Sequence, residues 1–100
     1  METAVITTVS EARAVANEWL ISHLPDRFIS GIPDYDPTRS VWRIPVWLAY
    51  PQLAPLGPVG ELRVDALSGQ VKSHTSVDEM KDLALKLYAH HREQIEAPLP

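Results

Sequence analysis

The chain has 100 residues, no cysteine and a formal net charge of −4. Together these exclude a second domain, a disulfide scaffold, a thiolate metal site and a cysteine nucleophile. Its nine lysines and arginines are scattered and form no basic stripe of the kind that displaces counterions from phosphates, so no nucleic-acid partner is expected.

A chain this long can bury roughly 65% of its unfolded surface and needs no metal or disulfide to hold a core. The opening METAVITTVSEARAV has neither a basic n-region nor a long apolar run. It reads as neither a signal peptide nor a membrane span, and the expectation is a soluble cytoplasmic protein.

Residues 1–7 read as a mobile lead-in. Thr8-Val9-Ser10-Glu11 fits a capping box, in which the threonine hydroxyl and the glutamate each satisfy a free amide of the first turn. Ala12, Val15, Ala16, Trp19, Leu20 and His23 then recur at helical spacing, predicting a helix over Val9 to Leu24 that Pro25 ends. Arg27 to Ile32 is a candidate first strand. Pro33 to Ser40 (PDYDPTRS) is dense in turn formers and reads as a hairpin loop. Asp34 and Asp36 there lack the further ligands that calcium requires.

Val41 to Tyr50 alternates cleanly, with Trp42, Ile44, Val46, Leu48 and Tyr50 on one face and Val41, Arg43, Pro45, Trp47 and Ala49 on the other. Leu62, Val64 and Ala66 share a face of the next strand. Paired residue numbers must sum to an even value if both apolar rows enter one core, and the simplest register sets Trp42 opposite Ala66, Ile44 opposite Val64 and Val46 opposite Leu62. That register puts Arg43 opposite Asp65 and Trp47 opposite Glu61. Pro45 cannot donate to a ladder, so either its nitrogen faces away from a neighbour or a bulge lies there.

Gly69 is expected to supply a positive φ in the turn that follows, with a short fourth strand at Gln70 to Ser73. Ser76-Val77-Asp78-Glu79 fits a second capping box. Val77, Met80, Leu83, Ala84, Leu87, Tyr88 and His91 form the buried stripe of the C-terminal helix, and the last five to seven residues should fray. The fold expected is one α+β domain spanning residues 1–100, ordered α-β-β-β-α. It has a small antiparallel sheet of three to four strands against the N-terminal helix.

Chemistry is sparse. His90 and His91 are adjacent on a helix and cannot chelate as an i, i+4 pair does, so His23, His74, His90 and His91 do not predict a metal site. The acidic pairs and the serines have ordinary roles in turns and caps, and no base, nucleophile and orienting group come together. No catalytic residue and no cofactor are expected. Trp47 and the proline-rich loop 51–58 are more informative. Trp47, Leu53 and Leu56, rimmed by Arg43 and Arg63, would form an apolar patch of the composition used for protein contacts. The simplest partner is a second copy across a two-fold axis. A small enzyme or ligand carrier with a pocket between the first helix and the sheet is the reading of a different class.

The helix with Thr8, Glu11, Ala12 and Ala16, the strand VWRIPV and the run GELRVDALSGQV together resemble the PepSY domain. Val64-Asp65-Ala66-Leu67-Ser68-Gly69-Gln70-Val71 matches that family's V-D-x-x-[ST]-G-x-V turn, and Trp42 takes its aromatic strand position. The resemblance covers about residues 8–73. It implies a helix preceding an antiparallel sheet, no catalytic residue, and a binding or peptidase-regulating role. No peptidase is attached to this chain, which leaves room for an antitoxin-like partner of a neighbouring protein.

Overall fold

The computed structural model describes residues 6–50, 53 and 55–96. Residues 1–5 of the predicted lead-in, residues 97–100 of the predicted tail, and residues 51, 52 and 54 of the loop lie outside that range. The start of the expected frayed tail instead belongs to a short helix, α3 (Arg92–Glu96). The elements run α1 (Val9–His23), β1 (Phe28–Ser30), β2 (Asp34–Asp36), β3 (Val41–Leu48), β4 (Gly57–Asp65), β5 (Val71–His74), α2 (Val77–His90) and α3 (Arg92–Glu96). This is an α+β fold with an antiparallel sheet ordered β1-β3-β4-β5, in which β2 also pairs with β3. Among the described residues no helix is long and apolar enough to cross a membrane.

Helix α1 starts where the sequence says it should. Thr8 Oγ1 accepts from the Glu11 amide at 3.1 Å, and the Glu11 carboxylate accepts from the Thr8 amide at 3.1 Å. Ile6, placed in the lead-in by sequence, is buried; its N–H donates to Ala66 O and its carbonyl accepts from Trp42 Nε1, both at 3.0 Å. Ala12, Ala16 and Leu20 are the buried residues of α1. The two alanines let the helix axis come close to the sheet, while Val15 and Trp19 pack at the margin of the core.

Two strand expectations need correction. Asp34-Tyr35-Asp36, assigned to a loop, is a strand that pairs with Val41 to Arg43, so the hairpin turn shrinks to residues 37–40. Ser40 takes a φ of 52° at its end. The β3–β4 register also differs from the simplest one by two residues. Trp42 faces Val64, Ile44 faces Leu62 and Val46 faces Gly60. Parity is preserved, so the same apolar rows enter the core. A shift of two costs no side-chain burial, which is why alternation alone cannot choose between them.

Pro45 sits opposite Glu61. Glu61 directs its backbone carbonyl to the Thr75 amide and its amide to Thr75 Oγ1, so the ladder bonds at this position run away from β3. The nitrogen of Pro45 therefore faces the other neighbour, where its carbonyl accepts from the Gly31 amide at 2.7 Å. Three residues, Gly31 to Pro33, here oppose two of β3, between the pairs Ser30–Val46 and Asp34–Arg43. The missing donor thus coincides with the break between β1 and β2. A separate shift between Val46 and Trp47 leaves Val59 as the extra residue of β4, and its side chain is buried.

Helix α2 is capped by Ser76, whose Oγ accepts from the Glu79 amide at 3.1 Å. Met80 and Ala84 are its buried residues, while Leu83 and Leu85 are exposed. The seat of Met80 is Gly60, where a Cβ would come within 2.7 Å of Met80 Cγ and 3.0 Å of Thr75 Cβ. Gly60→Ala is therefore expected to destabilise the fold by about 1–3 kcal/mol through overpacking. Urea denaturation checks this, with the losses from Gly60→Ala and Met80→Ala less than additive in the double variant.

The caps also set an acid limit. The Glu11 carboxyl is held below its usual range, chiefly by the hydrogen bond from the Thr7 side chain. Asp65 is held below its own range chiefly by the Leu67 amide. A depressed folded-state value means stability present above the unfolded value, about 4 for both types, and lost as pH falls through the folded value. Thermal melts of Glu11→Gln and Asp65→Asn should accordingly show a smaller drop between pH 5 and pH 3 than the parent chain.

Candidate functional site

The two long helices lie on the same side of the sheet. Val46 and Leu48 are inward residues of β3, and their partners Gly60 and Gly57 meet Met80 and Leu87 of α2. Helix α1 packs against β1, β3, β4 and β5, with Leu20 and Ile44 both in the shared core. Among the described residues neither long helix lies on the opposite face. It presents Ile29 from β1, Arg43, Pro45 and Trp47 from β3, and Pro58, Glu61 and Arg63 from β4.

This open face has two unlike ends. At one end Ile29, Ile32, Pro45, Trp47 and Pro55 line a cleft, with Arg13 at its side. Trp47 is half-buried because its indole lies over Gly31, where an added methyl would collide with the ring and meet Pro45 Cγ at 2.7 Å. Ile32, at 78% exposure, stands beside it with its side chain in solvent. An aromatic side chain covering a glycine on a neighbouring strand replaces the packing that glycine lacks. Gly31→Ala should dislodge Trp47, with a red shift in tryptophan emission and a loss of about 1–3 kcal/mol by denaturant titration.

The other end is charged. Arg43 and Arg63 face each other across β3 and β4, an arrangement that repels by itself. Glu61 relieves it, with Oε1 3.4 Å from Arg43 Nε and Oε2 3.2 Å from Arg63 Nε. Arg39 and Lys72 join these arginines around Val41, which is 5% exposed although it sits on the open face. The acids Asp34, Asp36, Glu61 and Asp65 lie among the cations on the same face. This end is therefore mixed in sign and is not a phosphate-binding stripe.

Of the five residues the sequence singled out, three share this face: Trp47, Arg43 and Arg63. Leu56 does not join them; it packs against the buried core, its amide bonded to Leu48 O at 2.8 Å. Leu53 is half-buried beside Tyr50 O and is absent from the lining of the Trp47 cleft. Arg43 pairs with Glu61 where the sequence set it against Asp65, and Trp47 faces Pro58 where Glu61 was expected. Both changes follow from the two-residue shift and the adjoining bulge. Pro45 lies on this face as alternation predicts, and Ile29 and Ile32 join it without having been singled out. The alternation of β3 already put Pro45 beside Trp47; the isoleucines required the pairing of β1.

The histidines fall elsewhere. His23 and His74 flank Trp19 with ring centroids 4.2 and 4.6 Å away. Each Nδ1 lies 2.8 Å from a backbone carbonyl, of Trp19 and Thr75 respectively, and so must carry the hydrogen and donate. Among the described residues no group of three or more histidines and carboxylates is placed to hold a metal ion. Comparison of the chain with protein-family models, curated proteins and solved structures gave no match.

Proposed function

We propose that this domain is a non-catalytic protein-binding module that acts through the open sheet face, and that its first partner is a second copy of itself. One observation carries the reading: both long helices cover one side of the sheet, so among the described residues no helix lies over the apolar cleft centred on Trp47. Tryptophan and arginine are the residue types that most often dominate binding energy at protein contacts. The interspersed charges of Arg43, Glu61 and Arg63 are self-complementary across a two-fold axis, because each surface offers both signs.

The β1 edge of the sheet favours a face-to-face contact over strand addition there. The Ser30 amide on the outer edge of β1 donates to Asn17 Oδ1 at 3.2 Å, and the Phe28 amide donates to Pro25 O at 3.3 Å. With those donors already engaged, an incoming strand loses most of its ladder there. The PepSY-like turn is consistent with a regulatory module of this kind. Gly69 has a φ of 75°, and Asp65 Oδ1 accepts from the Leu67 amide at 2.9 Å. Modulation of a peptidase, or pairing as an antitoxin-like partner with a neighbouring protein, would use the same face.

Sedimentation equilibrium of the parent chain beside Trp47→Asp tests the reading. A concentration-dependent dimer is expected, weakened by about 2 kcal/mol or more in the variant, as for an interface hot spot. A parent chain that stays monomeric, or a dimer indifferent to the substitution, sinks the self-association.

A further inference from the structure

On the helix side of the sheet, α1 and α2 leave a groove between them at the end where α1 stops. Phe28, Leu48 and Ala84 form its floor, all three under 10% exposed. Tyr50 and Tyr88 stand along it with ring centroids 6.1 Å apart. Its volume of about 440 Å³ lies within the roughly 300–1,000 Å³ of small-molecule sites.

The charged residues lining the groove are Arg27 and Lys81, both cationic, in a chain whose net charge is −4. Arg39, Arg43, Arg63 and Arg92 each have a carboxylate within 4.0 Å, whereas among the described residues neither Arg27 nor Lys81 does. Arg27 instead rests its guanidinium 5.1 Å from the centre of the Tyr50 ring, which leaves its N–H groups for another acceptor. Glu96, whose carboxylate accepts from the Tyr88 hydroxyl at 2.6 Å, is already held by Arg92 Nε at 3.0 Å.

We propose that this groove binds one molecule of a small amphipathic acid. Its aliphatic or aromatic body would lie over Phe28, Leu48 and Ala84, and its carboxylate between Arg27 and Lys81. An apolar floor alone would accept any greasy molecule. Two cations at the rim select an anionic head, since a carboxylate gains charge-assisted hydrogen bonds there that an alcohol does not. The site lies on the face opposite Trp47 and is independent of the self-association proposed above.

Calorimetric titration of the whole chain with decanoate and with decanol is the test. Decanoate is expected to bind one to one, at least tenfold more tightly than decanol, and less tightly as salt rises. Lys81→Glu, on an exposed position, should weaken decanoate about tenfold and leave decanol unchanged. Ala84→Phe, its fold checked by circular dichroism, should weaken both ligands. Trp47→Asp should weaken neither. Absence of saturable decanoate binding below its micellar concentration overturns the proposal. So does equal affinity of the parent chain and Lys81→Glu, or tighter binding to anionic phospholipid vesicles or to an acidic leucine-rich peptide than to decanoate.

Discussion

Opposite Val46 on the inner face of the sheet, β4 places a glycine, and the missing side chain at Gly60 is the space that Met80 of α2 enters. Had the register brought Leu62 there, a branched side chain would have filled that space. Helix α2 would then have needed another seat, on the outer face or beyond the sheet edge. The pairing of β3 with β4 thus decides where the second helix goes, and the second helix decides which surface stays open. Ala12 and Ala16 do for α1 what Gly60 does for α2. With small residues under both helices, one side of a narrow sheet carries both.

The same economy explains the core. Leu20, Ile44, Leu62, Met80, Val46, Val59 and Val64 are fully buried and come from α1, β3, β4 and α2. These side chains fill much of the space between α1 and the sheet. What remains is the gap where the two helices part, beyond the last turn of α1. Pro25 and the extended Leu24 end α1 there, and the chain returns as β1. An apolar strip is left uncovered along Phe28 and Leu48.

Much of this was legible in the residues. Thr8 with Glu11 and Ser76 with Glu79 mark both helix starts by local hydrogen-bond chemistry. Gly69 marks a turn because only glycine adopts its φ without strain. The faces of β3 follow from alternation, which is why Trp47, Arg43 and Arg63 were placed together. Three features were hidden, each for a physical reason. A register error of two preserves every inward and outward assignment, so it leaves no trace in the pattern. Asp34-Tyr35-Asp36 has the composition of a turn and becomes a strand through backbone pairing with β3. Leu56 just precedes β4, and its place against the core is fixed by pairing of its amide with Leu48 O, which the sequence pattern does not show.

Pro45 shows how one residue can shape both a sheet and a candidate binding surface. Its nitrogen cannot donate toward β1, and there the neighbouring chain bulges with one extra residue between Gly31 and Pro33. The bulge leaves Ile32 at 78% exposure, and glycine at 31 leaves room for Nε1 and Cδ1 of the Trp47 indole where a Cβ would stand. A donor-competent residue at 45 would favour a continuous β1–β2 strand, with Ile32 drawn into alternation and a side chain tolerable at 31. Trp47 would then have no shelf to rest on. The apolar end of the open face is in this sense a consequence of a missing hydrogen bond, not of hydrophobic residues alone.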